Sequence, residues 1–482
     1  MKYQKFIFDS YDFFWRSGRV VLRYRVEGAE VTEKGEKKVV LNFQEEFTLP
    51  LPGEFFQESL SREKVKAVER SLFGLHLAAG TTYWKIFCPP QIVINSGSLT
   101  DQQAHFWERL YREGMGQFYF ENQLDPNQLA PKFPVVESEL PSNMSFNPPS
   151  PNDSGEISDL SGYLLPWGGG KDSIVASELL KEKLLNQKKD PQEEILLFSV
   201  RNSLIQQKSA EKAQIERIVA DRKLADNLQQ VQSEGGGYAG HVPITAIYAF
   251  VEALVAIIWG KKTIVMANEK SADEENLIYK GLKINHQYSK TSQFEQDFQT
   301  YLSQFVTPSL QYFSILRGYY EIKIAQIFAQ YPQYFESFSS CNRNFSLKDS
   351  EKLENASRLK ENSNENFLKE GGKLWCGKCP KCGFVFLLLA AFLPKEEVVG
   401  KIFGQDLLDN SDLKGLFEEI LGLEGHKPLE CVGTVAESRL AMLKVIEKGE
   451  FQDSVLVSQL AEKILLLQEE ILAQEGELMG NL

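Results

Sequence analysis

The run Gly168-Gly169-Gly170-Lys171-Asp172-Ser173 combines glycines with a cation, an acid and a hydroxyl. Glycines let backbone N–H groups approach an anion, and a helix starting behind them adds the positive end of its dipole. Lys171 can neutralise charge and Ser173 can donate a hydrogen bond at the first helical turn. Asp172 can hold a loop amide or a magnesium ion. The run is neither a Walker A loop, which needs four residues between its first glycine and Gly-Lys-Ser/Thr, nor a GxGxxG dinucleotide loop. A glycine turn without a ligand is the plain alternative; the order strand, glycines, helix favours phosphate.

A second cluster is Cys376-Gly377-Lys378-Cys379-Pro380-Lys381-Cys382. Thiolates this closely spaced can converge on one ion, and a tetrahedral zinc needs a fourth ligand, for which Cys341 is the choice. An iron–sulfur cluster is the alternative occupant. Cys88 and Cys431 lie outside this set.

These motifs need elements to hold them. Val20 to Val26 and Lys38 to Leu49 read as a strand hairpin, and Leu60 to Ala79 and Asp101 to Glu113 as helices. Residues 141–159, rich in Pro, Ser and Asn, read as a linker. Beyond it, strands are expected at Tyr163 to Trp167, Glu194 to Val200 and Lys262 to Ala267. Helices are expected at Ile174 to Leu185, Ile215 to Gln230 and Val242 to Trp259. This alternation implies a parallel sheet with helices on both faces. Residues 346–373 read as a polar insertion, and the chain after Pro394 as mostly helical, with leucines at helical spacing from Val455 to Leu472.

With 482 residues, the chain is long enough for two or three domains. A net charge of −13 argues against a uniformly basic nucleic-acid surface. The start lacks a signal peptide's apolar core, and the run Phe384 to Leu393 is too short to cross a bilayer. A cytoplasmic protein with neither nucleic acid nor membrane as partner is expected.

The glycine run resembles the S-G-G-x-D-S signature of PP-loop ATP pyrophosphatases, with Gly168 where that signature has serine. Further strings sharpen the likeness. They are Gly74-Leu75-His76-Leu77, Thr82-Tyr83-Trp84-Lys85, Gly240 to Thr245, Ala267 to Ala272, Ile284 to Lys290, Ser314 to Arg317 and Lys427 to Thr434. Together with the glycine and cysteine runs, they resemble the MurL family of ATP-dependent UDP-N-acetylmuramoyl-L-alanyl-L-glutamate epimerases, as far as about Arg439.

The resemblance implies an α/β fold: a doubly wound parallel sheet of the PP-loop (adenine nucleotide alpha hydrolase-like) type. Its divisions would be an N-terminal α+β domain (1–140), the linker (141–159), an ATP-binding domain (160–393) and a helical C-terminal segment (394–482). It implies ATP, Mg2+ and a structural Zn2+ as cofactors. UDP-MurNAc-L-Ala-L-Glu would be the substrate. Its terminal glutamate would be activated as an acyl-adenylate, inverted at the α-carbon and released with AMP and pyrophosphate, supplying D-glutamate to peptidoglycan precursors. Gly168 to Ser173 would bind ATP, joined by Asn268 and Ser271, which follow an expected strand where α/β sheets place ligands. Inversion needs proton removal from one face and return to the other. The candidates are Cys431, His241, His286 and Glu269, with Arg317, Lys290 and more weakly Arg343 as partners for the anionic substrate. Two rivals stand beside this reading: a deazaguanine nitrile synthase or tRNA-modifying adenylating enzyme, and a zinc-stabilised nucleotide-binding protein without catalysis.

Overall fold

Strand residues alternate between two faces, so a sheet covered on both sides needs apolar residues throughout. Ile195–Val200 is such a strand: Leu197 packs into one apolar cluster, and Leu196 and Phe198 into another. The computed structural model describes residues 2–32, 35–53, 55, 60–135, 155–234, 236–341 and 374–480.

Among the described residues, nine strands form one sheet. In chain order they are β1 Lys2–Phe14, β2 Arg19–Thr32, β3 Gly35–Thr48, β4 Gln91–Ile94, β5 Ser161–Pro166, β6 Ile195–Val200, β7 Arg217–Lys223, β8 Lys261–Met266 and, after a small hairpin of β9 Leu277–Tyr279 and β10 Leu282–Ile284, β11 Gln311–Ser314. Their spatial order is β11-β8-β5-β6-β7-β3-β2-β1-β4. The five strands from β11 to β7 are parallel throughout. Within this parallel part the chain starts in the middle at β5, moves outward to β7, then returns to β8 on the other side. This is the doubly wound order, and it leaves a crevice at the carboxyl ends of β5 and β8 where the winding reverses.

Helices cover both faces. Ile244–Ile258 and Arg62–Ala79 pack together on one side, and Lys171–Asn186 and Glu321–Phe328 on the other. Gly74 makes the first contact possible, since a Cβ there would stand 2.2 Å from a Phe250 ring carbon. Antiparallel β1, β2 and β3 continue the sheet through a short β3–β7 pairing at Glu46–Lys223 to Thr48–Asp221. The strands on either side of residues 141–159 therefore share one sheet and one apolar cluster.

The structure corrects one expected element. Ile215 to Gln230 is no helix: its first part is β7, followed by a short helix, Leu228–Glu234. The leucines of Val455 to Leu472 fall on two helices, Val455–Leu465 and Gln468–Met479, and on the turn between them at Leu466 and Leu467. The chain after Pro394 is mainly helical. The insertion 346–373 and most of the linker lie outside the described residues. Among the described residues, no helix is long and apolar enough to cross a membrane.

Candidate functional site

The glycine run leaves β5 and enters helix Lys171–Asn186 at the reversal of the sheet. Gly169 adopts a left-handed φ of +72°, and a Cβ there would lie 2.9 Å from Ser209 Oγ. Gly168 faces open space, and no side chain caps the helix at Gly170. Ser340 closes the far side: its buried hydroxyl has no hydrogen-bond partner and would lie 2.8 Å from a Cβ on Gly170. An uncapped helix start, an open glycine and an unpartnered hydroxyl fit a phosphate chain. Ser173 Oγ donates back to the Gly170 carbonyl at 3.0 Å.

Lys171 is fully buried and pairs with both Asp172 and Glu321. Glu321 also takes the Lys381 ammonium at 3.0 Å. Burial pulls the Lys171 ammonium below its ordinary range, against the opposing pull of Asp172. Carboxylate oxygens of Asp172, Glu269 and Glu321 lie within 4.8 Å of one another, an oxygen set that could hold a hard divalent cation.

Beside these carboxylates stands a thiol. Lys290 Nζ donates to Cys431 Sγ at 3.7 Å, and His286 also acts on the same sulfur. Burial alone would raise the thiol; Lys290, His286 and Lys381 outweigh it and bring Cys431 down to about 6. In return, the charge of Cys431 raises the Lys290 ammonium. His286 Nδ1 lies 2.6 Å from Gln117 Oε1, and the His241 ring centroid lies 5.5 Å from that of His286. Burial, then the neighbouring His286 and Lys85, push His241 down to about 3, so it stays neutral near pH 7.

The side chains of Arg317 and Ser271 and the backbone of Asn268 are engaged within the protein. Arg317 donates to the carbonyls of Glu269 and Lys290 and twice to the Glu295 carboxylate, tying the two candidate segments together. Ser271 Oγ donates to Glu437 at 2.9 Å. Glu437 also accepts from the backbone N–H of Ile322 and Thr434, joining three segments at one buried carboxylate. The buried Asn268 takes Ser314 Oγ on its carbonyl at 2.7 Å. Arg343 lies outside the described residues.

Sequence reasoning missed Glu321, Glu437 and Gln117, which belong to no motif. It also missed Lys381, which it had seen only as a spacer between cysteines.

The four sulfurs of Cys341, Cys376, Cys379 and Cys382 lie within 4.8 Å of one another. Zinc bound at about 2.3 Å to each sulfur needs neighbouring sulfurs about 3.8 Å apart. The Cys379–Cys382 and Cys376–Cys382 separations are 3.4 and 3.7 Å, so the set fits a closed four-thiolate centre. The segments holding it also touch the glycine run, where Ser339 N–H donates to the Gly169 carbonyl at 3.2 Å.

These features define a doubly wound α/β protein whose ligand face combines a glycine cradle, a carboxylate trio and a thiol of lowered pKa. Residues 1–315 match the MurL N-terminal domain, and residues 360–475 match the MurL C-terminal domain. Two relatives carry the name UDP-N-acetyl-alpha-D-muramoyl-L-alanyl-L-glutamate epimerase. One, from a Micromonospora species, is 33% identical over 460 residues, covering 95% of this chain and 90% of its own. The other, from Xanthomonas oryzae, is 32% identical over 438 residues, covering 89% and 87%. The chain belongs to the MurL family.

Proposed function

We propose that the chain inverts the terminal L-glutamate of UDP-MurNAc-L-Ala-L-Glu to D-glutamate, consuming ATP and serving peptidoglycan precursor synthesis. The observation that carries the reading is the Cys431–Lys290–His286 cluster beside the carboxylates that flank the glycine cradle. Family membership supplies the substrate class.

A free carboxylate resists α-proton loss, because its charge opposes a second negative charge on the adjacent carbon. Adenylation removes that charge and makes the carbonyl an electron sink. In our reading Gly168, Gly169, Gly170, Lys171, Asp172 and Ser173 cradle ATP, and Asn268 and Ser271 border it. Asp172 and Glu321 would hold Mg2+, which would supply charge neutralisation at the phosphates, leaving the neighbouring Glu269 to take a proton. AMP is transferred to the glutamate carboxylate and pyrophosphate departs.

Cys431 is our choice for proton transfer on one face, since a thiolate is available near neutral pH and Lys290 stabilises it. Glu269 is our choice for the other, as its charge and that of Cys431 both act on Lys290. His286 and His241 act behind the thiol. Arg317 aligns the segments that carry Glu269 and Lys290. The four cysteines would hold zinc as a structural tie.

The test is an incubation with magnesium-ATP and UDP-MurNAc-L-Ala-L-Glu in heavy water. AMP release together with α-deuterated D-glutamate is expected. Folded protein that releases no AMP would sink the reading and turn attention to carboxydeazaguanine and tRNA as substrates.

A further inference from the structure

We propose that Gln117 and Glu121 are positioning residues that fix the tautomer of His286, so that its free ring nitrogen exchanges a proton with Cys431. The inference rests on the reading of Cys431 as a proton-transfer group. It gives residues of the N-terminal part a share in the chemistry.

The argument is one of donors and acceptors. Gln117 Nε2 donates to Glu121 Oε1 at 2.6 Å, across one turn of helix Gly116–Glu121. A carboxylate oxygen accepts, so turning the amide over would set two oxygens against each other. The Gln117 oxygen is thereby aimed at His286, 2.6 Å from Nδ1. An oxygen at that distance calls for a proton on Nδ1, and in a neutral imidazole this leaves Nε2 as an acceptor. Nδ1 being engaged by Gln117, Nε2 is the ring nitrogen left to act on Cys431, a group whose thiolate His286 favours.

The transfer balances without further partners. The S–H bond breaks, its electron pair stays on sulfur, and the proton forms an N–H bond at Nε2. The imidazolium so formed keeps Nδ1–H on the Gln117 oxygen, whose amide ends on the Glu121 carboxylate.

Independent contacts hold the pieces in place. Gln117 is buried. The His286 backbone N–H donates to Asn276 Oδ1 at 2.9 Å, and Asn276 Nδ2 donates to the Pro428 carbonyl at 3.1 Å. One asparagine thus clamps both the histidine and the loop that carries the thiol. Lys290 and Lys381 also act on the sulfur. His241, held neutral, does not compete as a cation.

Two readouts test this, neither of them requiring turnover. The chain has five histidines, so 15N-histidine labelling can resolve the His286 ring. In Cys431→Ser protein, where no ion pair forms, we expect the proton on Nδ1; a proton on Nε2 would overturn the proposal. In the cysteine-containing chain, Gln117→Leu should raise the pH midpoint of Cys431 alkylation by about one unit or more, as expected on loss of a bond that favours the charged form. Gln117→Glu, which keeps an oxygen in place, should restore it. On the proposed substrate Gln117→Leu should lose kcat about a hundredfold, at the lower end for a placed proton-transfer group, with KM little changed. An unchanged tautomer and midpoint in Gln117→Leu would refute the role of Gln117 whatever the epimerase assay gives. If Gln117→Leu does not fold, the ring reading in Cys431→Ser still decides. A Nδ1 proton in a protein inert toward UDP-MurNAc-L-Ala-L-Glu would support the relay and sink the epimerase reading alone.

Discussion

Replacing Lys290 by glutamine should return the Cys431 thiol to its ordinary range. The ammonium stands 3.7 Å from the sulfur. At an effective dielectric near 20, two unit charges at that separation interact by about 4 kcal/mol, or about three pK units. The thiol sits at about 6 instead of 9.0 although burial pushes it upward. His286 and Lys381 would remain, so the variant midpoint should fall at about 8 to 9. The assay is the rate of Cys431 carboxamidomethylation against pH, followed by mass on its peptide. A rate at one pH would mislead. Near pH 7 the thiolate fraction falls about ten- to a hundredfold, but a Brønsted slope near 0.45 makes each remaining thiolate roughly eight- to twentyfold more reactive. The midpoint is therefore the quantity to compare. Lys290→Arg keeps the charge and should keep the midpoint low. A Lys290→Gln midpoint still near 6 would refute the electrostatic account of this thiol.

Other consequences can be checked as directly. Gly169→Ala should lower AMP release at least about tenfold, because the left-handed backbone and the close Ser209 hydroxyl leave no room for a methyl group. Purified protein should carry about one equivalent of zinc; Cys382→Ser should lose the metal and unfold at lower denaturant, and absorbance typical of iron and sulfide would instead favour a cluster. Burial in helix Ile244–Ile258 raises Glu252 from 4.5 to about 8. Its carboxyl is neutral in the fold and ionises first in the unfolded chain, so its share of stability is complete below about 4.5 and drains away as pH rises toward 8. The loss across that window approaches about 5 kcal/mol, and Glu252→Gln should gain on the parent protein by a similar amount between these limits in denaturant titrations.

The parts legible in the sequence were those whose signal is local. The glycine run needed only its neighbours to be read as a strand-to-helix turn, and the apolar stretch around Leu254 only its composition to be read as a buried helix. Cys376, Cys379 and Cys382 were legible by spacing, whereas Cys341, 35 residues upstream of Cys376, was not. β7 failed because Arg217, Asp221, Arg222 and Lys223 make it look like a solvated helix face. What buries Arg222 is Glu45, 2.6 Å away in space and 177 residues away in the chain. The candidate site was legible as single residues, not as an arrangement. Nothing near Lys381 reveals Glu321 as its partner, and nothing near Gln117 reveals His286, because each contact joins segments more than fifty residues apart.

The β3–β7 junction has a bearing on how the chain is made. At about 5 to 20 residues per second, ribosomes would need roughly 9 to 35 s to synthesise the stretch between Glu45 and Arg222. During that time the outer edge of β3 waits as an open strand, the kind of template that invites pairing with a stranger. Its sequence carries its own protection: Glu36, Lys37, Lys38, Glu45 and Glu46 make a poor partner for a neutral apolar strand. When β7 arrives, Arg222 meets Glu45 and the same charge that guarded the nascent edge becomes the clasp of the finished sheet.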